Sequence, residues 1–177
     1  MSDQNAHSAG KDRANTASKY MTFRLAKEEY GIEILKVREL IGLLEITRVP
    51  RTKPYIRGLI NLRGKVIPVV DLRAKFGMPK ADDTSQTVII VVQIASGSAN
   101  LTMGVLVDEV LEVRAIAETD IEAPPALPQD IDTSFILGVG KSDKHIVFLL
   151  DIDRILTVDE RSEVLASTTA GGAVVEG

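Results

Sequence analysis

"YIRGLINLRGKVIPVVDLR", residues 55–73, returns eighty residues later as "FILGVGKSDKHIVFLLDID", residues 135–153. Aligned without a gap, Tyr55 meets Phe135, Gly58 meets Gly138 and Asp71 meets Asp151. The apolar run "VIPVV" from Val66 meets "IVFLL" from Ile146. A glycine kept at the same place in both copies marks a backbone conformation or close approach that a Cβ would block. An aspartate kept after both apolar runs has a local explanation, since it can cap a short helix that follows. These positions read as requirements of a fold made twice. Whatever separates the copies is where function can have been added.

The duplication extends upstream. "GIEILKVRELIGLLEI" begins at Gly31 and "GVLVDEVLEVRAIAET" at Gly104, an offset of 73 that pairs Val37 with Val110 and Glu39 with Glu112. An apolar strand precedes each, "MTFRLA" at 21–26 and "TVIIVVQI" at 87–94. The change of offset from 73 to 80 puts seven extra residues in the second link, around the proline-rich loop "EAPPALPQDID" at 122–132.

The pattern is mostly β. Phe23 and Leu25 alternate with polar neighbours, Ile32 and Ile34 do so after "AKEE", and that tetrapeptide reads as a hairpin turn. "TVIIVVQI" suits a strand covered on both faces. Pro68 cannot donate to a ladder and requires an edge or a bulge. Asp71 predicts a short helix over "LRAKF" that stops at Gly77. Asp151 or Asp153 predicts another, running through "RILTVDERSEVL". Short strands punctuated by Gly and Pro, in two similar halves, predict a mainly β protein of two small barrels. The first strand and the last helix are candidates for exchange between halves, so clean sequential domains are not expected. The folded part is placed at 19–160, between a polar tail at 1–18 and a flexible tail at 161–177.

Composition narrows the chemistry. The chain has 177 residues, 45% hydrophobic and 26% charged, with no cysteine, which removes disulfides, thiolate metal sites and cysteine nucleophiles. No apolar run reaches the roughly 18 residues of a membrane helix, and the N-terminus lacks the apolar region of a secretory signal. A cytoplasmic location is expected. His7 lies in the tail and His145 at the start of a strand, beside a turn. "FILGVGKS" ends like a phosphate-cradling loop, but Phe135 stands where the first glycine is needed; "GLINLRGKV" has the wrong spacing, and β turns account for both. No metal-ligand spacing or paired carboxylates emerge. The inventory predicts a binding protein rather than an enzyme, with no cofactor and no metal.

Charge is what distinguishes the copies. Residues 48–75 hold eight bases (Arg48, Arg51, Lys53, Arg57, Arg63, Lys65, Arg73 and Lys75) against Asp71 alone, a balance of +7. Residues 124–156 hold five acids and three bases, −2, and the whole chain is −4. A local basic patch on an acidic chain with few aromatics points to an acidic protein partner more than to nucleic acid. A basic-faced nucleic-acid-binding barrel is the alternative from another class.

"YGIEILKVRELI", "ITRVP", "YIRGLINLRGKVIPVVDLRAKFGM" and "GVLVDEVLEV" together resemble the CheW family of bacterial chemotaxis coupling proteins, over about residues 19–158. The resemblance implies two intertwined five-stranded SH3-like barrels with short helices. It also implies a non-enzymatic scaffold that bridges the cytoplasmic tip of methyl-accepting chemotaxis receptors to the regulatory domain of the histidine kinase CheA, and is recruited to membrane receptor arrays. An adaptor for a related non-chemotaxis receptor–kinase system is the nearest alternative. Receptor contacts carry over onto Val37 and Glu39 in "KVRELI", and onto Gly58 and Arg63 in "RGLINLRG". Glu39 and Gly58 recur as Glu112 and Gly138, which suggests a partly structural role, whereas Arg63 is replaced by Asp143. For the kinase, Leu127 in the inserted loop is the candidate.

Overall fold

A computed structural model describes residues 17–96, 99–124, 134–142, 144–157, 160, 163–164 and 166. The first half supplies β1 (Ala17–Leu25), β2 (Glu28–Glu33), β3 (Val37–Gly42), β4 (Ile56–Leu62), β5 (Lys65–Asp71) and helix α1 (Leu72–Lys75). The second supplies β6 (Val88–Ser96), β7 (Ala99–Val107), β8 (Glu109–Ala117), β9 (Ile121–Glu122), β10 (Ile136–Ser142) and β11 (His145–Leu150). Among the described residues no helix is long and apolar enough to cross a membrane.

The halves are interlaced by more than a strand. One sheet runs β8-β1-β2-β11-β10-β9 and the other β3-β6-β7-β5-β4. Each half therefore gives its whole first hairpin to the other half's barrel. β2 pairs in parallel with β11, and β7 in parallel with β5, so the two exchanges are equivalent. The first sheet has six strands rather than five because Ile121–Glu122 pairs with β10. Its counterpart in the other sheet is a single bridge, Thr47 to Leu59.

Most local expectations hold. The turn between β1 and β2 falls within "AKEE" but is only Ala26–Lys27, since Glu28 and Glu29 already pair with Leu25 and Arg24. β6 is buried on both faces, Ile90, Val92 and Ile94 entering one cluster and Ile89 and Val91 another. β5 is an interior strand, but its ladder with β7 covers only Val69–Asp71, so at Pro68 β4 is the sole ladder neighbour. "FILGVGKS" is strand β10 itself, not a turn. Asp71 Oδ1 accepts from the N–H of Arg73 at 3.0 Å and Asp151 Oδ1 from that of Asp153 at 3.1 Å. The shared aspartates are caps, as expected.

The helix expected straight through "RILTVDERSEVL" is interrupted. Ile152–Arg154 forms one 3-10 turn. Helix resumes at Glu160, Glu163, Val164 and Ala166 among the described residues. Thr157 and Glu160 account for the restart as a reciprocal capping box: Glu160 N–H donates to Thr157 Oγ1 at 3.1 Å and Thr157 N–H to Glu160 Oε1 at 3.0 Å. Val164 is 1% exposed and belongs to the core, so packed structure runs past the boundary expected at 160.

Two small cores fill the barrels: Tyr20, Ile116, Val147 and Leu149 in one, and Ile60, Ile67, Val69, Ile89, Val91 and Leu106 in the other. The largest cluster lies between the sheets and draws on both halves, from Phe23 and Ile32 through Val70 and Ile90 to Leu150 and Val164. All four phenylalanines join it. Phe76 stacks on Phe135 at 4.7 Å, and Tyr30 touches Phe23, Phe76 and Phe148 at 5.5–5.9 Å between ring centroids.

The C-terminal helix is tied to the first half by charge. Lys75 Nζ reaches both Glu160 oxygens at 2.9 and 2.7 Å and lies 4.6 Å from the centre of the Tyr55 ring. Burial pushes the Glu160 carboxyl up. Hydrogen bonds from Lys75, Tyr55 and the Thr157 N–H outweigh that and hold it at about 2, against an ordinary 4.5. A depressed carboxylate contributes stability above its unfolded pKa, which is lost as pH falls through the folded one. Glu160→Gln is expected to lower stability at pH 7 by about 2–3 kcal/mol. The deficit should shrink between pH 4.5 and 2 in urea melts; a deficit that stays constant over that window would mean the carboxylate charge is not what ties the helix down.

Candidate functional site

The β4–β5 hairpin closes through two residues, Arg63 and Gly64, because Leu62 pairs with Lys65. Both have positive φ, 51° and 86°, and Asn61 Oδ1 accepts the Gly64 N–H at 2.9 Å. A two-residue turn of this hand matches the twist of the strands and favours Asn, Asp or Gly at its first position. Arginine there carries a backbone cost of about 1 kcal/mol or more. Asp143, its counterpart by sequence, is a residue type that suits such a turn, but it lies outside the described residues. Fold stability therefore does not call for arginine at 63.

The Arg63 side chain is 73% exposed, and its guanidinium donates to Glu39 Oε1. Glu39 sits on β3, two residues after Val37, with a register shift between them in the ladder with β6. Val37 is half-buried and packs on the shared core. β3 and the β4–β5 turn thus bring Glu39 and Arg63 together at one edge of the five-stranded barrel, while the register shift turns Val37 to the other face of β3, paired with Val92 of the shared core where Glu39 pairs with Val91 of the barrel core. Glu39 holds one side of the arginine fork and leaves the rest to solvent.

Gly58 is not part of that edge. It is buried on β4, with φ of 148°, under the bridge in which Thr47 N–H donates to Leu59 O at 2.8 Å and Leu59 N–H to Thr47 O at 2.7 Å. A Cβ on Gly58 would lie 2.3 Å from Thr47 O; one on Gly138 would lie 2.7 Å from Glu122 O. The recurrence of this glycine marks the seal of each link onto its barrel. Leu127 lies outside the described residues.

Sequence reading missed an apolar surface. Leu40, Leu43 and Leu44 are each about two-fifths exposed, and they follow directly on Glu39 in the chain. The signal was the leucine-rich run "LIGLLEI", longer than a six-residue strand can bury. Strand alternation turns Leu40 to the face of β3 opposite Glu39, and Leu43 and Leu44 come after the strand has ended.

The eight bases of residues 48–75 divide. Arg57 pairs with Asp83 at 2.6 Å and Asp71 at 3.5 Å, Arg63 with Glu39, Arg73 with Asp108, and Lys75 with Glu160. Arg48, Arg51, Lys53 and Lys65 make no ion pair among the described residues. Arg73 Nε donates to Asp108 Oδ1 at 2.6 Å. Burial opposes ionisation of Asp108, but Arg73 and the Ala26 N–H hold its pKa below the ordinary carboxylate value.

Comparison with known proteins agrees with this architecture. The family described as "CheW-like domain" matches residues 19–160. "Chemotaxis protein CheW" of Rhizobium meliloti is 34% identical over 153 residues, 86% of this chain and 96% of the relative. The Bacillus subtilis protein of the same name is 34% identical over 142 residues, 80% of this chain and 88% of the relative. Among solved structures, the scaffolding protein TtCheW of Thermoanaerobacter tengcongensis superposes with a TM-score of 0.74 at 37% identity, covering 82% of this chain and 96% of that one.

The clash at Gly58 sets a clear expectation. Gly58→Ala should cost about 2–4 kcal/mol, from a strained φ and a contact with backbone that cannot move aside. Gly42→Ala, where an added Cβ meets nothing within 4 Å, should stay within about 0.5 kcal/mol of the parent. Urea denaturation of both variants is the check, and near-equal midpoints would remove Gly58 from its sealing role.

Proposed function

The chain belongs to the CheW-like family and is a chemotaxis adaptor coupling receptors to the kinase CheA; on that premise we propose that its receptor-binding surface is the Glu39–Arg63 edge. The carrying observation is the placement of Arg63. An arginine occupies a positive-φ turn position that would be better filled by Asn or Gly, with its guanidinium exposed and oriented by Glu39. The cytoplasmic tip of a methyl-accepting receptor is a helical hairpin, and a helix presents an apolar stripe flanked by charge. Leu43 and Leu44, which follow β3, can take the stripe. The free side of the Arg63 fork can take a receptor carboxylate. Gly58 acts on this contact at one remove, by fixing the link that packs on β4.

In this reading the CheA regulatory domain docks elsewhere, with Leu127 of the inserted loop as its candidate contact. The adaptor brings kinase and receptor together without chemistry of its own. Its recruitment to receptor arrays follows from the receptor contact.

Arg63→Glu tests the assignment. Reversing an interfacial charge typically costs on the order of 2–5 kcal/mol of binding, while loss of an exposed ion pair costs the fold no more than about 1 kcal/mol. The variant should lose a receptor cytoplasmic fragment in pull-downs, keep the kinase regulatory domain, and melt within a few degrees of the parent. The double exchange Glu39→Arg with Arg63→Glu restores the internal pair and should still fail to bind receptor. If the exchange recovers receptor binding, Arg63 serves only Glu39 and the receptor surface lies elsewhere.

A further inference from the structure

The link between β3 and β4 and the segment after α1 enclose an open groove of about 710 Å3. It lies at the start of β4, where Ile56 and Arg57 form part of its wall. Arg63 stands at the other end of the same strand, about 20 Å away at 3.3 Å per residue. The two features therefore occupy opposite ends of the β4–β5 hairpin.

The walls carry six bases (Arg48, Arg51, Lys53, Arg57, Arg73 and Lys80) against one acid, Asp71. Arg57 and Arg73 are held by Asp83 and Asp108. The other four make no ion pair among the described residues. Three of them stand on a pinned turn: Thr52 Oγ1 donates to Val49 O at 2.9 Å, Ile56 N–H donates to Lys53 O at 3.0 Å, and Arg51 has φ of 65°. Between the cations the groove is apolar, with Ile46, Val49, Ile56 and Met78. No aromatic residue lines it.

The duplication shows that this charge is not a demand of the fold. The link of the first half, residues 43–55, carries Arg48, Arg51 and Lys53 against Glu45. The link of the second half, residues 118–134, carries Glu118, Asp120, Glu122, Asp130 and Asp132 and no base. The same architecture is closed by a strongly acidic segment, so the basic one answers to something outside it.

We propose that this groove is a second docking surface that takes an acidic, partly apolar peptide segment of a partner protein. Charge complementarity selects the acid: four cations that make no ion pair among the described residues converge on one concavity of a chain whose net charge is −4. The apolar floor selects a polypeptide over nucleic acid, since single strands are held by aromatic stacking and the groove has none. Carboxylates of the segment pair with Arg48, Arg51, Lys53 and Lys80, and an aliphatic side chain between them enters the space over Ile56 and Met78. Pro50 and Pro54 remove two N–H donors from the wall, so capture is by side chains rather than by strand addition. The proposal is independent of the receptor assignment, because none of its residues belongs to the Glu39–Arg63 edge.

The test uses the full chain and a fluorescein-labelled twelve-residue peptide alternating Glu or Asp with Leu. Fluorescence anisotropy should show saturable binding that weakens with salt, and Arg48→Gln with Arg51→Gln and Lys53→Gln should weaken it at least about tenfold. Should the triple variant fail to melt like the parent, Arg51→Gln and Lys80→Gln as single changes carry the comparison, each expected to weaken binding severalfold. Arg63→Glu should leave peptide affinity unchanged. Equal affinity in parent and groove variants overturns the proposal. So does tighter binding of a thymidine oligonucleotide of equal charge, or binding to a Lys–Leu peptide of the same length.

Discussion

The shared core between the two sheets is what every other feature depends on. Neither half can close its own barrel, because the hairpin that would complete it is committed to the other. The interior of each barrel is small, four buried residues in one and six in the other among the described residues. Most of the apolar surface that offsets chain entropy lies between them. All four phenylalanines are concentrated there. The duplicated sequence therefore builds one cooperative unit, and the surfaces at its edges inherit the rigidity of a core to which both halves contribute.

Electrostatics follows the same interlacing. Arg24 pairs with Glu109, Lys36 with Asp153, Arg73 with Asp108 and Lys75 with Glu160, each a first-half cation on a second-half acid. Asp108 and Asp153 each accept one backbone N–H besides, from Ala26 at the β1–β2 turn and from Ala95 in β6. Each carboxylate is thereby fixed to a hairpin that its own cation does not belong to. Much of the basic excess of the first copy is thus an internal complement to the acidic second copy. Of the bases in residues 48–75, those left without an ion pair among the described residues are Lys65, beside the Arg63 turn, and Arg48, Arg51 and Lys53 at the groove. The rest of the first-half surface has little net charge to offer a partner.

An adaptor has to hold two partners at a fixed separation. With the proposed receptor edge at one end of β4–β5 and the proposed groove at the other, one stiff hairpin would hold both surfaces at a fixed separation, apart from the kinase contact proposed at Leu127. The exposed leucines that follow Glu39 in the chain and the apolar floor of the groove would let each proposed contact combine burial with charge selection. Burial supplies the attraction, and the charges choose the partner.

The sequence by itself determined the local elements and their doubling. Asp71 and Asp151 and the alternation through Phe23 and Leu25 are read from neighbours a few residues away, because caps and strand faces are short-range physics, and Gly58 and Gly138 are marked by their recurrence in both copies. The family followed from the same stretch. Arg63 could be singled out because the second copy has Asp143 in its place. Three things were decided only by the tertiary structure. The exchange of entire hairpins was, because both half-barrels present the same edges and sequence does not say which edge closes on which. The fate of each base was, since Arg73 and Asp108 are 35 residues apart and Lys75 and Glu160 are 85 apart. So was the separation of Gly58 from Arg63, five residues apart on β4 and the turn that follows it, because the fold buries the first beneath Thr47 and holds the second out in solvent at the tip of the turn.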